Sequence, residues 1–248
     1  MPDTDVRILG SGDAFSAGGR HQAAYMISTG NSSILLDCGA TALASLKQHR
    51  LNPETIDTII LSHLHGDHFC GLPFLFLEYS FETPRHRPLR IGGPPGTGER
   101  VRQLFATVYR DLASRPLPFA LEFIEFTPDQ TVELDGVRVT PFQVPHQENA
   151  ISLGIGIDTG RHRILYSGDT GWTEELIKHA RGTDLFICEC SYFETRRPFH
   201  LDYPRLMENS ARFGTSRLVL THLGREVLAR RQEIELELAT DGLAITLR

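Results

Sequence analysis

Ser62-His63-Leu64-His65-Gly66-Asp67-His68-Phe69-Cys70-Gly71-Leu72-Pro73 follows directly on the apolar run Thr58-Ile59-Ile60-Leu61. Three histidines and an aspartate fall within the six positions 63–68. Imidazole nitrogen and carboxylate oxygen are the donors that borderline divalent cations accept. A strand ending in a tight loop can turn such side chains toward one point, and Gly66 frees the backbone to fold back so that His63, His65, Asp67 and His68 need not diverge. A solvated polar loop would account for one or two histidines but not for this spacing. The segment reads as a metal site at the end of a strand.

The chain has 248 residues, 40% hydrophobic and 23% charged, which is ordinary for a globular enzyme with a large core. Its net charge is −6, and it has no Lys/Arg run long enough to track a phosphate backbone. Arg196-Arg197 and Arg230-Arg231 read as solvated surface, so a nucleic-acid partner is not expected. Cys38, Cys70, Cys188 and Cys190 lack the spacing of a disulfide framework and read as thiols in a reducing compartment. The start Met1-Pro2-Asp3-Thr4-Asp5 is acidic, and no run approaches about 18 apolar residues, the length needed to span a bilayer. The expectation is a soluble cytoplasmic protein without a leader or membrane segment.

Strand-like and helix-like runs alternate without a long linker or repeat, which predicts a single domain over residues 1–248. Strands are expected at 6–9, 24–28, 33–37, 58–61, 89–91, 121–126, 131–134, 137–144, 151–158, 163–167, 185–190, 217–220 and 243–247. Asp135-Gly136 is expected to close a hairpin. Helices are expected at 40–49, 73–80, 97–109, 174–180 and 203–212. His146, Asp169 and His222 each fall just past a predicted strand, where open α/β architectures gather side chains into a site. Singly, each also reads as a local cap or surface group. Together they would complete a two-metal set.

The pattern His63-x-His65-x-Asp67-His68, the later His146, the turn Gly168-Asp169-Thr170 and the late His222 resemble the metallo-β-lactamase superfamily signature. The opening Leu9-Gly10-Ser11-Gly12-Asp13-Ala14-Phe15 and the strand end Leu36-Asp37-Cys38-Gly39 are similar to the branch holding tRNA 3′-processing endonucleases and cyclic phosphodiesterases. The resemblance implies an α/β (α+β) fold of αββα type, two mixed β-sheets packed face to face with helices on the outer faces. It also implies two divalent metal ions: His63, His65 and His146 on one, Asp67, His68 and His222 on the other, and Asp169 shared between them. Two ions about 3.5–4 Å apart can activate a shared water at neutral pH and stabilise both oxygens of a displacement at phosphorus. Asp67 would orient that water and accept its proton. Zinc suits the nitrogen-rich set best, with manganese or iron as alternatives.

His200 directs the reading toward phosphodiesters. It lies in Phe199-His200-Leu201-Asp202, where Asp202 is expected to cap a helix, and it matches a proton donor of the phosphodiesterase branch. It also reads as a surface loop histidine. Glu189 reads either as a strand-end surface carboxylate or as the group that orients His200. Arg20 and His21 read as solvated, with contact to a substrate phosphate as the alternative. Gly10-x-Gly12 reads as a tight turn near the metal rim rather than a dinucleotide fingerprint. The expected function is a dinuclear metal-dependent hydrolase, a phosphodiesterase acting on a small cyclic or nucleotide phosphodiester. The alternatives are a lactone, thioester or β-lactam hydrolase, a tRNA 3′-processing endonuclease and a non-catalytic metal-binding interaction module. Only 22 residues separate His146 from Asp169, too few for the exosite arm of the tRNA-processing enzymes together with two strands. No cysteine precedes Cys38, so the extra cysteine-rich zinc site of the phosphonate-pathway enzymes is not expected. A small-molecule substrate is expected, and the resemblance admits a homodimer.

Overall fold

The computed structural model describes residues 3–248, so the reading of Met1 and Pro2 as part of an acidic start lies outside the described residues. The strands are β1 (Thr4–Gly10), β2 (Ala24–Ser28), β3 (Ser33–Leu36), β4 (Thr58–Ile60), β5 (Leu89–Gly93), β6 (Leu121–Glu125) and β7 (Val132–Leu134), then β8 (Val137–Val144), β9 (Ser152–Asp158), β10 (Arg163–Tyr166), β11 (Leu185–Glu189), β12 (Leu218–Thr221), β13 (Glu237–Leu238) and β14 (Ala244–Leu247). They form two seven-stranded sheets among the described residues, ordered β14-β1-β2-β3-β4-β5-β6 and β13-β12-β11-β10-β9-β8-β7. Each sheet is mixed in the same way. The pairs from β14 through β3 are antiparallel and those from β3 through β6 parallel. Likewise the pairs from β7 through β10 are antiparallel and those from β10 through β13 parallel.

Side-chain alternation along the strands decides the layering. In β3, Ile34 and Leu36 join Val6, Ile27 and Ile60 against Val139, Ile155, Ile164 and Ile187 of the other sheet, forming the inter-sheet core. Leu35 points the other way, with Ile59 and Ile91, against Leu46, Phe76 and Phe105 of the helices Ala42–Gln48, Leu72–Phe81 and Thr97–Val108. On the far face Phe142, Leu165, Phe186 and Leu220 pack against Leu176, Leu206 and Phe213 of Glu174–Ala180 and Tyr203–Phe213. The result is the expected αββα sandwich.

Asp135 and Gly136 both have positive φ, 52° and 79°, as the predicted two-residue hairpin between β7 and β8 requires. The edge strand β13 and the short helices Gly66–Phe69 and Arg225–Ala229 escape the sequence reading, since two to five residues carry too little periodicity. Cys38, Cys188 and Cys190 are buried free thiols and Cys70 is half-buried. No helix is long and apolar enough to cross a membrane among the described residues.

Candidate metal centre and active-site cavity

The carboxyl ends of β4, β8, β10 and β12 open on one rim. His63 lies three residues past Ile60, His146 two past Val144, Asp169 three past Tyr166 and His222 directly after Thr221. Donor atoms of His63, His65 and His146 gather within 4.8 Å of one another, and so do those of Asp67, His68, Asp169 and His222. Asp169 lies between the groups: its Oδ1 is 3.3 Å from His68 Nε2, and its Oδ2 is 3.3 Å from His222 Nε2 and 3.8 Å from His146 Nε2. All seven residues singled out in the sequence therefore converge.

The imidazoles are aimed by their second nitrogens. His68 Nδ1 donates to Asp37 Oδ2 at 2.7 Å, and His146 Nδ1 donates to the Phe199 carbonyl at 3.0 Å. His63 Nδ1 lies 3.0 Å from Ser62 Oγ, which donates to Asp37 Oδ2. His222 Nδ1 lies 2.9 Å from Ser191 Oγ, which donates to Glu189 Oε2. In each case Nε2 is left facing the cluster. His65 is turned the other way: its Nε2 meets the Gln147 side-chain amide at 2.7 Å and its Nδ1 faces His146 Nε2 at 3.0 Å.

Asp37, Ser62, Gln147 and Ser191 were not assigned these roles from sequence. Asp37 carries the most. Fully buried, it accepts from Ser62 N, Ser62 Oγ, His68 Nδ1 and, across the inter-sheet core, the Tyr166 hydroxyl. Its φ of 54°, like the 52° of His222, is left-handed, a conformation that non-glycine residues hold only where the surroundings impose it. An aspartate closing the apolar strand Ser33–Leu36 was the available signal.

His63 Nε2, His68 Nε2 and Asp169 Oδ1 are buried without a hydrogen-bond partner. Orphaned atoms of this kind are costly unless they coordinate something. Burial, and then the neighbouring His68, holds the His63 imidazole well below its usual range, the neutral form a ligand needs. Burial alone would raise Asp67 and Asp169, but His222 and His68 override it and lower both, while the carboxylates in turn raise those two imidazoles against their own burial. This donor set fits two divalent cations, with the first histidine group on one side of Asp169 and the second on the other.

The cluster floors a cavity of about 490 Å³ whose lining includes Phe15, Tyr192, His200 and Arg225. His200 is not a free surface histidine: its side chain is 24% exposed, and its Nδ1 meets Glu189 Oε1 at 2.9 Å. Burial opposes its protonation, but the Glu189 carboxylate outweighs that and raises its pKa to about 9. Glu189 is fully buried and is bonded also by Thr170 N, Ser191 Oγ and Leu201 N, which excludes the surface-carboxylate reading. Asp202 caps the following helix through Arg205 N, as expected. The solvated reading of Arg20 is corrected. Its guanidinium donates to Ser11 Oγ at 2.6 Å and the Ala239 carbonyl at 2.9 Å, fastening the glycine turn, where Gly12 bridges Leu223 beside His222.

Residues 4–241 match the family model described as "Anti-Pycsar protein Apyc1". A protein of Lachnoclostridium phytofermentans named Ribonuclease Z is 28% identical over an alignment of 272 residues, covering 88% of this chain and 86% of that protein. Among solved structures, the metallo-β-lactamase fold protein YhfI from Bacillus subtilis superposes with a TM-score of 0.80 at 22% identity, covering 99% of this chain and 100% of that one. The short form of human tRNase Z superposes with a TM-score of 0.79 at 24% identity, covering 98% of this chain and 99% of that one. Similarity to a protein named Ribonuclease Z does not support the expectation that nucleic acid is no partner.

Proposed function

The chain belongs to the Anti-Pycsar protein Apyc1 family, within the tRNase Z and phosphodiesterase branch of the metallo-β-lactamase superfamily, and from that membership we propose that it is a dinuclear metal-dependent phosphodiesterase. Its substrate is a small cyclic or nucleotide phosphodiester, and zinc is the metal the nitrogen-rich donors suit best. The observation that carries this reading is the pair Glu189–His200 beside the metal donors. His200, His146 and Asp169 place donor atoms within 4.8 Å of one another, so a proton donor stands where a phosphoryl group would meet the cluster.

His63, His65 and His146 would hold one ion and Asp67, His68 and His222 the other, with Asp169 shared. When bound, the ions supply Lewis acidity and a nucleophile drawn from water at neutral pH. The chain's own groups handle the protons. Asp67, set beside His222 and His68 among the donors, accepts the proton of the attacking water. As the ester P–O bond breaks, the departing oxygen takes the proton of His200 Nε2, because Nδ1 is occupied by Glu189.

The alignment to the ribonuclease Z relative spans 272 residues, more than this chain contains, so that protein has residues without a counterpart here. Between His146 and Asp169 this chain places β9, β10 and their tight turn. Both facts favour a small substrate over a precursor tRNA.

The deciding experiment is a turnover screen on protein carrying close to two ions per chain by elemental analysis, the number expected because seven donor residues exceed what one tetrahedral ion uses. Cyclic nucleotides of 2′,3′ and 3′,5′ linkage should be hydrolysed in preference to a thioester, a lactone and a precursor tRNA. Binding of one ion or none after supplementation would defeat the dinuclear reading. Preferred cleavage of the precursor tRNA would establish the endonuclease reading instead.

The His200–Glu189 pair also sets a pH dependence. The acid form of His200 is present below its pKa and lost above it, so kcat should fall as pH rises through that pKa, which Glu189 raises. Glu189→Gln removes the largest raising influence and should move that limb to lower pH. A limb that stays in place would separate it from His200.

A further inference from the structure

We propose that the mouth of the cavity is a nucleobase platform in which the Phe15 ring stacks on the base of the substrate; the inference rests on the phosphodiesterase reading and narrows its substrate to nucleotides. Phe15 is 87% exposed, the most exposed of the large apolar side chains among the described residues. The others, Phe74, Phe81 and Val108, lie on or at the ends of the outer helices Leu72–Phe81 and Thr97–Val108, whereas Phe15 lines the cavity that holds the metal donors.

Its backbone is not free to withdraw the ring. Asp13 Oδ1 accepts from Phe15 N at 3.2 Å and Ala17 N at 3.0 Å, the Asp13 carbonyl accepts from Ser16 N, and Gln22 donates to the Ala14 carbonyl. Ser16 is held in a left-handed conformation, φ 52°. A rigid backbone thus presents an aromatic ring to solvent at the entrance of a polar site, which suits a flat apolar ligand that also carries charge.

The same cavity has a second fixed aromatic, Tyr192, whose backbone is bonded to Leu201 and Tyr203. The segment following it is clamped to the helix Arg225–Ala229, because Glu226 accepts from the backbone amides of Phe193, Glu194 and Thr195. A volume of about 490 Å³ is that of a small-molecule site and can hold one nucleotide with its phosphate at the metal donors. Stacking on an aromatic face tolerates any base, since every base has a π-face.

The test compares a cyclic nucleotide with the matching cyclic phosphate of methyl riboside, which lacks a base. Phe15→Ala should lower the ratio of kcat/KM for the nucleotide over the base-free analogue by about tenfold to a hundredfold, the range of one base–aromatic stack. Phe15→Trp should keep the ratio. After subtraction of the Trp172 signal, its indole emission should be quenched by a nucleoside monophosphate and not by ribose 5-phosphate. An unchanged ratio in Phe15→Ala, or equal quenching by both ligands, would overturn the platform. If the parent protein hydrolyses neither substrate, the phosphodiesterase reading falls and the emission titration alone decides whether Phe15 binds a base.

Discussion

His200→Ala should reduce turnover of a phosphodiester with an alkyl leaving group by about 10²–10⁴-fold, the usual contribution of a general acid, while metal content is retained. With p-nitrophenolate, which departs without a proton, the loss should be much smaller. The ratio of the two defects is therefore the diagnostic quantity, measured by steady-state kinetics on both substrates with one preparation. Equal losses would mean that His200 positions phosphate rather than supplying a proton. No loss on either would remove it from the reaction and favour thioester or lactone hydrolysis, where the leaving group needs less acid assistance.

The second large effect is expected at a residue remote from solvent. Asp37→Ala takes four donors from a fully buried carboxylate, namely Ser62 N, Ser62 Oγ, His68 Nδ1 and the Tyr166 hydroxyl. His68 then loses the partner that aims its Nε2, and His63 loses its own through Ser62. Partners of this kind are typically worth about 10- to 100-fold in metal affinity. Donors left unsatisfied in the core cost about 1–3 kcal/mol each. Competition with a chelator should show the weakened affinity, and thermal unfolding of metal-free protein the separate loss of stability. Asp37→Asn, which keeps the shape and part of the acceptor capacity, should fall between. Unaltered chelator competition in Asp37→Ala would refute the aiming role.

The site is legible in the sequence where a residue's chemistry and its position relative to a strand are both visible in the chain. His63, His65, Asp67 and His68 are adjacent in sequence, and His146, Asp169 and His222 each follow an apolar run, so their convergence could be anticipated. Asp37, Ser191 and Gln147 could not be assigned in this way. Their partners lie 31 residues or more away, at His68, His222 and His65; the parallel pairing of β3 with β4 and of β11 with β12 brings the first two together, and only the stacking of the two sheets the third. Glu189 was ambiguous for the same reason. A glutamate ending an apolar strand has one spelling whether it meets water or a histidine. Arg20 departs from its expected solvation because, although a charged residue in a glycine-rich loop is ordinarily solvated, here the Ala239 carbonyl lies within reach.

The repeated layout of the two sheets has a thermodynamic consequence. His63, His65, Asp67 and His68 come from the half containing the first sheet, and His146, Asp169 and His222 from the half containing the second. Neither half alone owns a complete set of donors for either ion. Cations that drew ligands from both halves would bind the assembled sandwich more tightly than its separated layers. By mass action, each tenfold rise of free metal above the dissociation constants would then strengthen the cohesion of the two layers by about 1.4 kcal/mol per ion. The rim where the chemistry is proposed to occur would thus also be a clasp, making the abundance of the folded chain a function of the metal supply around it.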